Sequence, residues 1–143
     1  MSRPSREKTF MAMAGLVALR SHCVKRKVGC VVTDERGEKI AVGFNGGPRG
    51  LANHCAPGPD GRCDCLHAEI NCLLKVYFSG PLVMYTTASP CATCAAALVN
   101  RGVAKVYYLD EHKGFLSRDI LDQAGVEHER IYLRSVEVDL GDL

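Results

Sequence analysis

Two short segments constrain this chain more than any other feature: His67-Ala68-Glu69 and Pro90-Cys91-Ala92-Thr93-Cys94. Cys91 and Cys94 are one helical turn apart, so both sulfurs reach one point. Each segment sits at a predicted helix start, where the helix dipole and unpaired backbone N–H groups favour thiolate over thiol. One histidine and two cysteines from two neighbouring helix starts supply three metal ligands and leave a fourth position for water. That is the arrangement of a catalytic rather than a structural zinc. Glu69, two residues past His67, is placed beside such a water to take its proton and pass it on. Cys91 follows His67 by 24 residues, so the fold must bring two helix starts together with a strand between them. A Cys-x-x-Cys pair alone is equally compatible with a redox pair or a structural zinc. A core cysteine pair with an unrelated surface histidine is the remaining alternative.

The surrounding pattern supplies that fold. Phe10, Met13, Ala14 and Val17 recur at helical spacing and predict a helix from Ser5 to Arg20. Val28 to Thr33 and Lys39 to Phe44 read as a hairpin around the turn Asp34–Gly37. A long loop, Gly46 to Cys65, follows. A second helix is predicted from Leu66, with Ile70, Leu73, Leu74 and Tyr77 on one face and Gly80-Pro81 as its stop. Leu82 to Thr87 reads as a buried strand. Ser89 as N-cap and Pro90 at the first position open a third helix, ended by Gly102. Ala104 to Leu109 is a strand, Leu116 to Ala124 a helix ended by Gly125, and Ile131 to Val136 a last strand or extended tail. The strand–helix alternation predicts a three-layer α/β/α domain with a five-stranded mixed sheet, its last two strands parallel. One domain over residues 1–143 is expected, with 136–143 as a short acidic tail.

Composition narrows the function classes. The chain has 143 residues, 47% hydrophobic, with a net charge of +2, which excludes a disordered chain. No apolar run approaches the ~18 residues of a membrane span. No secretory signal is visible, because Ala12-Met13-Ala14, an A-x-A triplet before Arg20, follows a charged segment and not an apolar run. A cytoplasmic chain is therefore expected, in which the eight cysteines serve metal binding or packing rather than disulfides. Arg3, Arg6, Lys8, Arg20, Lys25, Arg26 and Lys27 face a single acid, Glu7, within residues 1–27. Such a cluster attracts phosphate or is simply a solvated helix end. The near-neutral total speaks against a stable nucleic-acid partner.

The order His-x-Glu … Pro-Cys-x-x-Cys is the signature of zinc deaminases. The chain resembles the cytidine/deoxycytidylate deaminase superfamily, most of all its deoxycytidylate (dCMP) branch. The resemblance runs from about residue 7 to 133. It is carried by Arg26–Val32, Gly43-Phe-Asn-Gly-Gly-Pro-Arg-Gly50, His67–Asn71, Tyr85–Cys94 and Gly102–Tyr107. It implies hydrolytic deamination of dCMP to dUMP and ammonia by a zinc-activated water, with Glu69 as proton shuttle and His67, Cys91 and Cys94 on the metal. It also implies a homo-oligomer, often a hexamer. A deaminase of another base (a tRNA adenosine, a modified cytidylate or dCTP) and a non-catalytic zinc module are the alternatives.

The resemblance also implies that Asn45 hydrogen-bonds the sugar or holds the loop over it; the alternative is the turn residue of Asn-Gly. Arg26, Lys27 and Arg49, with Lys25, are candidates for the substrate phosphate. Cys30 and Cys72 read as core packing. Cys23, His54, Cys55, Cys63 and Cys65 crowd the first helix end and the long loop. By resemblance they imply a second, structural zinc, taken first by Cys23, Cys55 and Cys63 with His54 or Cys65 as fourth. A loop with free thiols is the alternative. His22, His112 and His128 read as surface residues.

Overall fold

The computed structural model describes residues 3–51 and 64–133. The chain runs α1 (Arg6–Ala18), β1 (Gly29–Asp34), β2 (Ile40–Phe44), α2 (Ala68–Lys75), β3 (Leu82–Ala88), α3 (Ala92–Arg101), β4 (Val103–Asp110), α4 (Arg118–Gln123) and β5 (Glu127–Arg130). The five strands form one sheet in the order β2-β1-β3-β4-β5. β1 is antiparallel to β2 and β3, whereas β3, β4 and β5 run parallel. This is the expected mixed sheet. Among the described residues no helix is long and apolar enough to cross a membrane.

Alternation along each strand divides the core into two layers. Val31 and Tyr85 join Met11 and Ala14 of α1 on one face. Cys30, Val32, Met84 and Val106 join Ala68, Cys72, Ala95, Leu98 and Leu121 of α2, α3 and α4 on the other. β1 is therefore buried on both sides from Gly29 to Thr33.

Two glycines set how the helices lie. A Cβ at Gly29 would fall 1.9 Å from the Ala14 carbonyl oxygen and 2.6 Å from the Ala18 nitrogen. α1 thus rests backbone-first on β1 along Ala14 and Ala18. This rotates its fully buried stripe to Met11, Ala14 and Ala18, while Phe10 and Met13 of the expected face pack only partly buried beside it. A Cβ at Gly43 would fall 2.5 Å from the Cys72 nitrogen and 2.9 Å from the Ala68 carbonyl oxygen. α2 therefore presents its small face, Ala68, Glu69 and Cys72, to the sheet. The expected large face holds only in part for that reason: Leu73 packs partly buried against the core, while Leu74 and Tyr77 are 72% and 76% exposed. The helix also ends at Lys75, because Val76 is already extended, well before Gly80-Pro81.

Three further boundaries differ from expectation. α3 is capped by Cys91, not Ser89; the Ser89 hydroxyl instead accepts the His112 backbone N–H at 2.7 Å. The fourth helix begins at Arg118, after a 3-10 turn at Lys113–Phe115, and Leu116 is exposed. The last strand is Glu127–Arg130 rather than Ile131–Val136. It is an edge strand with charged outward positions, which mask its strand periodicity. Lys105 on β4 lies 3.8 Å from Glu127 and 3.6 Å from Glu129, and charges of this kind guard an edge against further pairing. Residues 134–143, including the expected acidic tail, lie outside the described residues.

Candidate metal centre and its cavity

α2 and α3 start beside each other. The start of α2 is fixed by an isolated bridge in which Gly46 and Leu66 exchange both backbone hydrogen bonds, at 3.1 and 2.8 Å. His67 and Cys91 are the N-cap residues of α2 and α3, both extended, and neither side chain caps its own helix. Each side chain turns to the other. His67 Nδ1 lies 3.4 Å from Cys91 Sγ and 3.4 Å from Cys94 Sγ. The three ligand atoms lie within 4.8 Å of one another, and Cys94, one turn into α3, is 1% exposed. Zinc bonds of about 2.3 Å to sulfur and 2.0 Å to nitrogen at tetrahedral angles put S and N about 3.5 Å apart. One imidazole and two thiols at this spacing fit a zinc ion with an open fourth position.

Glu69 stands in the first turn of α2, 4% exposed, within the same wall. Burial raises its carboxyl above the usual range, and hydrogen bonds to the Cys94 and Thr86 side chains and the charge of His67 work against that rise. Burial, then the Glu69 charge and Cys91, push the Cys94 thiol up. Cys30 and Cys72 are fully buried, and the Cys72 thiol donates to the Ala41 carbonyl at 3.3 Å. Both are packing residues, as expected.

The centre opens into a cavity of about 650 Å³. His67, Glu69 and Cys91 line one end, while Lys25, Arg26 and Lys113 bring positive charge to its wall beside His112. Asn45 is buried and also lines it. Its Oδ1 accepts from Val28 N at 2.8 Å and its Nδ2 donates to the Arg26 carbonyl at 2.8 Å. Its amide thus holds the entry to β1. Cys23 and Cys65 line the same cavity; His54, Cys55 and Cys63 lie outside the described residues. Lys27 and Arg49 are exposed and are not among the described residues of the cavity wall.

The sequence reading missed His112 and Lys113. Both stand in Asp110–Phe115, past the carboxyl end of a parallel strand, where ligand crevices lie. The Tyr108 and Phe115 rings pack edge-on at 4.9 Å in the core. His112 is half-buried, with its Nδ1 3.1 Å from Arg26 Nη1, and is not a plain surface residue. Burial, then Arg26, Lys113 and His67, lower its pKa. Lys113 reaches the wall because its backbone is left-handed (φ 51°), as are Gly114 (68°) and Phe115 (53°). For the two non-glycine residues this costs about 1–3 kcal/mol each. The hint in the sequence was Lys113-Gly114 just past the strand end.

Comparison with known proteins agrees with this geometry. The family described as "cytidine and deoxycytidylate deaminase zinc-binding region" matches residues 4–110. A deoxycytidylate deaminase of Schizosaccharomyces pombe is 37% identical over 87% of this chain and 44% of its own length. One of Saccharomyces cerevisiae is 38% identical over 79% of this chain and 40% of its own. The chain thus spans less than half the length of these two relatives. The dCMP deaminase of the cyanophage S-TIM5, solved in complex with dCMP and dUMP, superposes with a TM-score of 0.81 at 34% identity. That match covers 92% of this chain and 100% of the phage chain.

Proposed function

The chain belongs to the cytidine and deoxycytidylate deaminase zinc-binding family, and from that premise we propose that it hydrolyses dCMP to dUMP and ammonia. The observation that carries the reading is the grouping of His67, Cys91 and Cys94 within 4.8 Å, with buried Glu69 in the same cavity wall. The choice of dCMP is supported by the full-length likeness to the phage enzyme.

His67 Nδ1, Cys91 Sγ and Cys94 Sγ would hold the zinc. A zinc ion so held would lower the pKa of a bound water to about 7 and so supply a nucleophile at neutral pH. Glu69 would carry two protons in turn: one from the attacking water to N3 of the cytosine, and then the remaining proton of that water, from the new C4 hydroxyl, to the amino group, which departs as ammonia. Its burial suits that task, since a desolvated carboxyl gives and receives a proton near neutrality more readily than an exposed one. Arg26 and Lys113, with Lys25, supply positive charge for the phosphate. Asn45 keeps Arg26 and Val28 in register.

Residues 1–143 act in this reading as a single deaminase domain, supported by the one continuous sheet. A second, structural zinc remains part of it, supported by Cys23 and Cys65 on the same cavity wall. So does a homo-oligomer, supported by the exposed apolar Leu74 and Tyr77 at the end of α2.

The test is ammonia release from dCMP, CMP, dCTP, deoxycytidine and tRNA, with zinc content and molar mass by light scattering on the same sample. Release from dCMP foremost is the expected result. Release from another substrate, or from none in a zinc-loaded sample, overturns the reading. Two zinc ions per chain support the second site and one removes it.

A further inference from the structure

Arg26 is held at three points. Its carbonyl accepts from Asn45 Nδ2 at 2.8 Å, its Nη2 lies 3.8 Å from Asp110 Oδ2, and its Nη1 lies 3.1 Å from His112 Nδ1. A guanidinium has only donors, so His112 Nδ1 is the acceptor and the ring is neutral, with its proton on Nε2. Asp110 is shared, since its other oxygen lies 3.9 Å from Arg130 Nη2. Arg26 is thus restrained by a neutral ring and half a carboxylate, and keeps most of its positive charge for a ligand.

His112 is itself anchored. Its N–H donates to the buried Ser89 hydroxyl at 2.7 Å, and its carbonyl accepts from Phe115 N at 3.0 Å. Ser117 Oγ donates to the Pro90 carbonyl at 2.5 Å. Ser89 and Pro90 immediately precede Cys91. A continuous line of hydrogen bonds therefore runs from the start of α3, through Ser89 and His112, to the Arg26 guanidinium. The left-handed run at 113–115 sets Lys113 beside it on the cavity wall.

We infer that His112 is the positioning residue for phosphate recognition: it aims Arg26 so that this guanidinium and Lys113 together take the phosphomonoester of the nucleotide. The inference rests on the nucleotide-deaminase reading above. It makes the β4–α4 connection the element that separates nucleotides from nucleosides, and it couples that choice to the frame of the metal centre.

The test measures zinc-loaded wild type, His112→Ala and His112→Asn for binding of dUMP and of deoxyuridine by titration calorimetry, and for steady-state turnover of dCMP. In His112→Ala, the dUMP Kd and the dCMP KM rise roughly tenfold, the loss expected for a hydrogen bond to a charged group. Deoxyuridine affinity and kcat stay within about twofold, because the metal end is untouched. His112→Asn, whose amide oxygen stands in for Nδ1, recovers most of the loss; a merely structural role would not follow the acceptor. Melting temperature and zinc content of each variant confirm that folded holoenzyme is compared. Unchanged dUMP affinity in His112→Ala, equal losses for dUMP and deoxyuridine, or no recovery in His112→Asn overturns the inference while wild-type deamination stands. A zinc-loaded wild type that deaminates no cytosine nucleotide overturns both.

Discussion

The two ends of the cavity are built in opposite ways. The metal end is made of regular structure: two helix starts, with Cys94 and Glu69 in the first turns behind them. The cationic end is made of connections. Arg26 precedes β1, and His112 and Lys113 follow β4 on a left-handed run. Positions at the metal end are fixed by backbone geometry that any helix has. Those at the other end are fixed by hydroxyl and amide hydrogen bonds particular to this chain. Chemistry that tolerates little displacement thus sits on rigid elements, and recognition sits on segments whose side chains are aimed by neighbours.

If that division is right, perturbing the metal end removes turnover outright. Stripping the metal with a strong chelator, or replacing Cys94 by alanine, is expected to abolish ammonia release, and added zinc restores the stripped wild type but not the variant. Glu69→Gln comes next. It should lower kcat by about 10²–10⁴-fold while elemental analysis still finds zinc at the wild-type level; a Glu69→Gln protein of normal activity would remove the proton-carrier role. Arg26→Ala probes the opposite end. Its dCMP KM should rise roughly tenfold with little change in kcat, and a fall in kcat alone would show the two ends are not separable.

Gly43→Ala tests whether the metal end depends on the close approach of α2 to β2. The added Cβ meets backbone atoms of Cys72 and Ala68, so α2 must shift. Overpacking of this kind costs about 1–3 kcal/mol, read as a lower melting temperature, with zinc binding weakened and dUMP phosphate recognition less affected.

The smallest effect is expected away from both ends, at the β1–β2 turn. Asp34 Oδ1 accepts from Glu38 N at 2.8 Å and Lys39 N at 3.1 Å. The Lys39 bond, with those from Glu38 and Gly37, holds its carboxyl below the usual value. A depressed carboxyl contributes stability above its unfolded pKa and loses it as pH falls through the folded one. Asp34→Ala should therefore melt slightly below wild type at neutral pH, and the gap should close as the pH falls below the usual carboxylate range. Activity should be unchanged.

The same division explains what the sequence revealed. His67, Glu69, Cys91 and Cys94 were legible because helix geometry converts short spacings into shared positions. The sheet was legible because β1, β3 and β4 are apolar runs between turn residues. Helix faces were read less well. The apolar period of α2 pointed to Leu74 and Tyr77, but the face was decided by the missing side chain of Gly43 on another element. Ser89-Pro90 has the composition of a helix start, yet the hydroxyl was claimed by His112, a residue 23 positions on. His112 and Arg26 stand 86 residues apart, and no local spacing brings two positions so distant in the chain together.

The paired bonds between Gly46 and Leu66 act as a ring closure. They return the chain to a fixed point before His67, so the number of residues between positions 46 and 66 is not transmitted to the metal ligands. Lengthening a closed loop is inexpensive, about 0.6 kcal/mol for each doubling. A change in chain length between the two bridge partners is thus taken up before Leu66, and the register of His67 and Glu69 on α2 is set by the bridge alone.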